Sequence, residues 1–238
     1  MDSTAGRMSP AAFRISRDVI ERSFAGLPAG DALLALDDAI AKMRLDAAPV
    51  SDRPLPYSLF AVAYAAGGRV DKAKTILGRL ESEVRDTAVR RAWHSRYEGA
   101  LASIATKEHR WNDAVELFRK SDREPDGPAT ADPGGVSMYL IWVWATAGTA
   151  DSAIAEYERY LKTPYGGRTR EGPDINVPAP VTEALAKIYD AKGKTDRAVP
   201  LYRDFIELWK GADSELQPRV AAARARLQEL TPVEGRKR

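Results

Sequence analysis

The amino-acid sequence predicts an all-α fold made of paired helices, and three observations support this prediction. Alanine is frequent, while glycine and proline are confined to short breaks between apolar stretches. No segment shows the alternation of apolar and polar residues, bounded by hairpin turns, that is typical of strands. The third observation is internal repetition, since the string Gly-x-x-Asp-x-Ala occurs three times and two weaker copies extend the series.

Each copy of this string contains residues that close one helix and open the next. Glycine just past a helix end adopts the left-handed conformation that terminates the helix, and Asp or Asn three residues later caps the following one. The full copies begin at Gly68, Gly148 and Gly193, and the weaker copies are His109/Asn112/Ala114 and Leu27/Gly30/Ala32. Tight turns between helices are therefore predicted near Gly30, Gly68, His109, Gly148 and Gly193.

The alanine of each copy marks the point where two antiparallel helices are expected to cross. A larger side chain at this point would push the two helices apart. These alanines recur about every 40 residues along the chain, a spacing typical of repeat proteins. The pattern predicts five helix hairpins, which cross at Ala32, Ala73, Ala114, Ala153 and Ala198.

Breaks rich in Pro, Gly and Asp separate some of the predicted hairpins, at residues 46–56, 121–135 and 162–180. Between Leu80 and Ala105 only Gly99 interrupts the helical pattern, so longer helices are expected there. An apolar stripe in 214–230 predicts a terminal helix that covers the last hairpin and presents a polar outer face. We expect a flexible start at 1–10, a single domain over 11–231 and a flexible basic tail at 232–238.

The most complete copies resemble the tetratricopeptide repeat (TPR) in the order of their large, small and aromatic residues. One copy carries Tyr57, Phe60, Ala61, Tyr64, Ala73 and Leu77, and another carries Leu185, Ala186, Tyr189, Ala198 and Tyr202. The resemblance implies a right-handed α-α superhelix, a TPR-like solenoid of about five hairpins with a C-terminal capping helix. It also implies that the first helices of successive hairpins line the concave side.

Composition and charge exclude several classes of function. The 36 Lys and Arg residues nearly balance the 34 Asp and Glu residues, which argues against a dedicated nucleic-acid binder. Cysteine is absent, so disulfides and thiolate sites are excluded. The longest strongly apolar run, 138–145, is too short to cross a bilayer. We therefore expect a cytoplasmic protein that contacts neither nucleic acid nor membrane.

The sequence contains no recognisable motif for catalysis or cofactor binding. The two histidines, His94 and His109, lie in neither a nucleophile motif nor a metal-ligand spacing. The glycines at 67–68 and 166–167 lack the spacing of a phosphate-binding loop. We expect no catalytic residue, no metal and no cofactor. The alternative is an enzyme that uses carboxylates of the concave groove, since a fold alone does not exclude chemistry.

The candidate partner-binding residues lie on the first helices of the hairpins. Trp142 points to a different side from Trp144, which takes the signature aromatic position, so Trp142 either lines the groove or packs between repeats. Val62 and Ser103 stand where the family's two-carboxylate clamp needs other residues, so that clamp is not expected. The candidates are Met138, Tyr139, Trp142, Glu183, Lys187, Asp190, Ser103 and Lys107. This mixture of apolar and charged side chains suits an extended or helical peptide.

A second, narrower resemblance covers residues 196–230, which are similar to the end of the repeat regions attached to bacterial serine/threonine protein kinases and related regulators. The motifs of a kinase domain itself are missing. The two resemblances imply a protein-binding scaffold or adaptor in a bacterial regulatory or signalling assembly. Its partner would be a protein or peptide, such as a bacterial serine/threonine kinase system. A regulator in transcription or envelope assembly is the alternative.

Overall fold

The computed structural model describes residues 9–121, 138–162 and 178–231. In these residues the regular structure consists of twelve α-helices and two short 3₁₀ turns, without a strand, and the predicted all-α fold is confirmed. The described helices form two compact units: unit 1 is residues 9–121, and unit 2 is residues 138–162 with 178–231. One continuous domain over 11–231 stays a prediction, because each unit is described by itself.

Unit 1 contains three helix hairpins and one short helix between the second and the third. The helices are α1 Pro10–Phe24, α2 Gly30–Ala41, α3 Pro54–Ala66, α4 Val70–Glu83, α5 Thr87–Ala92, α6 His94–Lys107 and α7 Trp111–Ser121. The hairpins are α1/α2, α3/α4 and α6/α7, and α3 packs between α1 and α6. Tyr57 and Phe60 of α3 are completely buried in the core. The first helices therefore lie side by side, as in a stack of helix pairs.

Unit 2 contains two helix hairpins and a terminal helix. The helices are α8 Met138–Thr146, α9 Ala150–Lys162, α10 Pro178–Ala191, α11 Thr195–Leu208 and α12 Gln217–Leu230. The hairpins are α8/α9 and α10/α11, with α10 packed against α8. The terminal helix α12 packs against α11 and buries Val220 and Ala223, as its apolar stripe predicts.

The five hairpins of the described residues all close with the same backbone motif. At Gly68, the N–H of Arg69 donates to the carbonyl oxygen of Tyr64 at 2.7 Å, and the N–H of Gly68 donates to that of Ala65 at 2.9 Å. This pair of bonds is the Schellman motif, which needs a residue of positive φ. That residue is Gly26, Gly68, His109, Gly148 or Gly193. Four predicted turns are confirmed, whereas the first is closed by Gly26, and Gly30 already begins α2.

The acidic residue of the repeat does not have the capping role that the sequence predicts. Asp71 and Asp196 occupy the second helical position of α4 and α11, and the residue before each helix makes no side-chain capping hydrogen bond. A carboxylate in the first turn still stabilises the helix, because it lies near the positive end of the helix dipole. The turns at Gly68, Gly148 and Gly193 were predicted correctly because glycine determines them, but the capping role of the aspartates was wrong.

The crossing residue of the first hairpin is Leu33 and not Ala32. The N–H of Leu33 donates to the carbonyl oxygen of Ala29, as the N–H of Ala73 does to that of Arg69. Leu33 is buried, while Ala32 is partly exposed. The first turn is longer than the others, and this shifts the register of α2 by one residue. The other four predicted crossing residues are fully buried: Ala73, Ala114, Ala153 and Ala198.

The segment between Leu80 and Ala105 contains a short additional helix, so the expected lengthening of the hairpin helices was wrong there. Asp86 begins α5 by accepting hydrogen bonds from the N–H groups of Ala88 and Val89, at 2.8 and 3.1 Å. A side-chain cap of this kind starts a new helix without a preceding glycine or proline. The predicted breaks at 121–135 and 162–180 and the predicted flexible ends at 1–10 and 232–238 fall mostly outside the described residues.

Replacing His109 with glycine is expected to stabilise the protein. His109 has a φ of 59°, a conformation that strains residues with a Cβ atom and costs about 1 kcal/mol. Thermal or urea unfolding of His109→Gly checks this prediction, with Gly68→Ala as the matched control. Gly68 has a φ of +81°, and an added Cβ atom would meet open space there, so the control isolates backbone strain and should lose stability. Equal stability of His109→Gly and the wild type would contradict the prediction.

Replacing a crossing alanine with leucine is expected to destabilise the protein by roughly 1–3 kcal/mol. Ala73, Ala153 and Ala198 have no exposed surface, so three added carbon atoms force two packed helices apart. Urea unfolding of the three single variants measures the effect. Ala222→Leu on the exposed side of α12 is the control and should change stability little. A loss for Ala222→Leu as large as that for Ala198→Leu would contradict the crossing geometry.

Candidate partner-binding surfaces

On α10, the candidate residues Glu183 and Lys187 belong to a group of charged side chains that also includes Arg219 of α12. Glu183 is 4% exposed, and its carboxylate accepts hydrogen bonds from Lys187 Nζ at 2.7 Å and from Arg219 Nε at 3.0 Å. The side chain of Lys187 itself is 63% exposed. The guanidinium of Arg219 also lies 4.8 Å from the ring centroid of Trp209. The buried carboxylate is thus neutralised from two sides, while the lysine faces solvent.

The third candidate on α10, Asp190, makes the second contact with α12. Its carboxylate accepts hydrogen bonds from Arg226 Nε at 2.7 Å and Nη2 at 2.8 Å, and from the hydroxyl of Tyr202 at 3.2 Å. The bond from Arg226 lowers the pKa of Asp190 below its ordinary value, although burial acts in the opposite direction. Burial and the neighbouring carboxylate raise the pKa of Tyr202 to about 12.

These contacts show that α12 is held to α10 by two matched ion pairs. Glu183 and Asp190 are seven residues apart on α10, and Arg219 and Arg226 are seven residues apart on α12. Seven residues are about two helical turns, so each set lies on one side of its helix. Part of the polar outer face predicted for α12 therefore contacts α10, since both arginines pair there, although the side chain of Arg226 is 44% exposed. The equal spacing of opposite charges on the two helices is the signal that predicts this pairing.

The sequence predicts that Trp142 and Trp144 point to different sides of α8, with Trp144 at the signature aromatic position, but the two side chains do not differ in burial class. Leu140, Ile141 and Val143 have no exposed surface, whereas both tryptophans are partly exposed. The side chains of Met138 and Tyr139 lie outside the described residues, although their backbone forms the start of α8. The assignment of Trp142 to a binding groove stays a prediction.

On α6 of unit 1, the candidates Ser103 and Lys107 are one helical turn apart. The hydroxyl of Ser103 donates to the carbonyl oxygen of Gly99 at 2.9 Å. Lys107 is half-buried, and none of the described residues forms an ion pair or a hydrogen bond with its Nζ. Burial alone lowers the pKa of this lysine. Lys107 therefore differs from Lys187, which has a carboxylate partner.

Each of the two histidines contacts a neighbouring side chain. His94 lies 3.7 Å from Glu98 on α6, and His109 packs edge-on against Trp111 at 5.0 Å between ring centroids. Within the part of the chain that the structure describes, no three His, Asp or Glu side chains converge in a way that could hold a metal ion. None of the described helices has the length and apolar character needed to span a bilayer.

Comparison with known proteins agrees with this architecture. Residues 182–211, which include most of α10 and all of α11, match the family model of the tetratricopeptide repeat. No curated protein and no solved structure matches the chain significantly. The helix hairpins and this match to one repeat define an all-α protein that contains a TPR, and such repeats generally mediate protein–protein binding. The narrower resemblance to kinase-attached repeat regions has no support in these comparisons.

Replacing Asp190 with asparagine is expected to remove stability at neutral pH but not in strong acid. A carboxyl group with a lowered pKa in the folded state contributes stability above its unfolded pKa, near about 4, and the contribution is lost as pH falls through the lower folded pKa. Unfolding of the wild type and Asp190→Asn should therefore differ at pH 7, and the difference should shrink as pH falls through the lowered pKa of Asp190. In the Asp190→Asn background, Arg226→Ala should add little further pH dependence, because Glu229, the remaining partner of Arg226, is 64% exposed. A stability difference that persists unchanged in acid would contradict the role of this pair.

Proposed function

We propose that the protein is a non-enzymatic adaptor that binds a protein or peptide through the first helices of its hairpins. The observation that carries the proposal is the contrast between the two sides of these helices. The core-facing side is completely buried, as at Phe60, Ile141 and Leu185. The other side bears partly or fully exposed polar and aromatic groups, as at Ser103, Trp142 and Lys187. Such groups are available to anchor a partner.

The proposed binding residues occupy three of these helices. They are Ser103 and Lys107 on α6, Met138, Tyr139 and Trp142 on α8, and Glu183, Lys187 and Asp190 on α10. The match of residues 182–211 to the TPR supports a role in protein binding for α10. The pairing of Glu183 and Asp190 with α12 gives these two carboxylates a share in fold stability as well, so Lys187 is the most accessible of the three.

The setting that we propose is a bacterial regulatory or signalling assembly in the cytoplasm, with a serine/threonine kinase system as the partner. The support is the similarity of residues 196–230 to repeat regions attached to such kinases. This setting is a narrower proposal than the binding role, and a partner unrelated to kinases would contradict the setting without contradicting the binding role.

Purified protein should show no turnover, so specific turnover that is abolished by replacing a groove carboxylate would overturn the non-enzymatic role.

The experiment that tests the binding role combines Trp142→Ala with Lys187→Gln. A partner is first identified by affinity purification from the native organism with mass spectrometry, and its binding is then measured by calorimetry. We expect the double variant to bind at least about tenfold more weakly, with little change in melting temperature. Arg203→Gln, an exposed change on the second helix α11, is the control. Unchanged binding by the double variant would contradict the role of this side of the helices, and a large stability loss from Trp142→Ala alone would assign Trp142 to the core.

A further inference from the structure

Two neighbouring first helices of unit 1, α3 and α6, share a long stretch without charged residues. α3 has no charged residue from Pro54 to Ala66, and α6 has none over 99–106. The two helices pack side by side, and Val62 and Ser103 occupy matching positions in their repeats. Both side chains are partly exposed. Lys107, the last residue of α6, directly follows the uncharged stretch of that helix.

Lys107 stands out because its charge is not balanced within the described chain. Other half-buried charges of unit 1 are paired, as the carboxylates of Asp37, Glu83 and Glu108 are with lysine or arginine. Among the described residues none lies within ion-pair or hydrogen-bonding distance of Lys107 Nζ. A half-buried ammonium group that lacks a counter-charge is unfavourable, because burial removes part of its hydration without replacing it.

We propose that Lys107 binds a carboxylate side chain of an otherwise apolar peptide that lies across α3 and α6. This inference rests on the proposed function and specifies the chemistry of its partner. An apolar peptide side chain would cover Val62, and one Asp or Glu would supply the charge that Lys107 lacks. The lowered pKa of Lys107, which burial causes, agrees with a site that a carboxylate completes.

The surroundings favour an acidic peptide over a polyanion. Binding of nucleic acid or of clustered phosphates relies on several cations that act together, whereas residues 54–66 of α3 and 99–107 of α6 contain one cation, Lys107. A single carboxylate is neutralised by a single lysine and leaves no excess charge in the apolar surroundings. The corresponding charges on α10 of unit 2 are already satisfied by Lys187, Arg219 and Arg226. An external carboxylate should therefore gain more binding free energy from Lys107 in unit 1 than from the paired charges on α10.

The test selects binding peptides from a random display library on the immobilised full-length protein. Selections are run in parallel on the wild type and on Lys107→Glu. We expect wild-type selections to be enriched in peptides with one Asp or Glu among apolar residues, and selections on Lys107→Glu to lose these peptides and gain Lys or Arg. Calorimetry then measures the affinity of the best acidic peptide for the wild type, for Lys107→Gln and for the control Lys120→Gln. We expect Lys107→Gln to bind this peptide at least about tenfold more weakly than the wild type does. Lys120 is an exposed lysine of the second helix α7, so this control should bind like the wild type.

The outcomes distinguish this inference from the proposed function. If the selected peptides bind Lys107→Gln as tightly as the wild type, or show no preference for an acidic residue, the role of Lys107 is overturned while peptide binding stands. If no selected peptide binds saturably, the inference and the proposed function are both contradicted. Circular dichroism of each variant excludes unfolding as the cause, and removing an unbalanced charge at Lys107 should not lower the melting temperature.

Discussion

Phe205→Ala is expected to lower the free energy of unfolding by about 3–5 kcal/mol. Phe205 has no exposed surface, and its ring packs against Trp209 at 5.2 Å between centroids. Truncation to alanine removes the burial of a whole ring and leaves a cavity that the surrounding helices fill only in part. Urea unfolding followed by circular dichroism measures the loss.

The matched control for Phe205 is Leu208→Ala on the same helix. Leu208 is 52% exposed, so its truncation should change stability by less than about 1 kcal/mol. Hydrogen exchange should locate the loss of protection caused by Phe205→Ala in α10 and α11, which share the hairpin core. If the two substitutions destabilise equally, the position of Phe205 in that core is wrong.

Arg219→Ala is expected to destabilise the protein by about 3 kcal/mol. Removing one partner from a buried ion pair leaves the other charge poorly compensated, which typically costs roughly 3–5 kcal/mol. Glu183 is 4% exposed in the wild type, and the hydrogen bond from Lys187 within α10 compensates its charge in part when Arg219 is removed. The lower end of the range is expected because that lysine stays in place. Thermal and urea unfolding both report the change.

A double-mutant cycle separates the ion pair from the other contacts of Arg219. Glu183→Gln removes the buried charge, so Arg219→Ala should cost less in that background than in the wild type. Lys187→Ala is the control on the same carboxylate and should cost less than Arg219→Ala, because the lysine side chain is 63% exposed. Additive effects of Glu183→Gln and Arg219→Ala would show that the two side chains do not interact.

The sequence was sufficient for the parts of the fold that depend on local chemistry. Gly68, Gly148 and Gly193 close helices because a left-handed residue is needed at one position, and glycine satisfies that need. His109 takes the same conformation. The position of His109 in the repeat predicts this conformation, whereas histidine as a residue type does not. The crossing alanines followed from the same register, and those of four hairpins are fully buried.

Errors arose where the repeat register changes. The longer first turn moved the crossing position from Ala32 to Leu33. Local sequence rules do not determine the number of residues in a turn, so they could not predict this shift. The short helix α5 was missed because Asp86 starts it through its own side chain, without the glycine or proline that served as a marker of breaks. A serine, threonine, aspartate or asparagine inside a long helical pattern is the signal to weigh at such points.

The candidate site was predictable only in part, because its contacts join residues far apart in the chain. Repeat positions placed Glu183, Lys187 and Asp190 on one helix, and the structure confirms their common location on α10. The arginines that neutralise the two carboxylates come from α12, which is separated from α10 in the chain by the whole of helix α11. Whether a charged residue faces solvent or a partner helix depends on this packing, which local periodicity does not specify.

Site-specific photo-crosslinking in the native organism shows whether the partner contacts the first helices of the hairpins. A photoreactive amino acid is placed at Ser103 on α6 and, in a second strain, at Glu116 on the exposed side of the second helix α7. We expect a covalent adduct with one defined protein from position 103 and none from position 116. Crosslinking of that protein from position 116 alone would contradict this expectation.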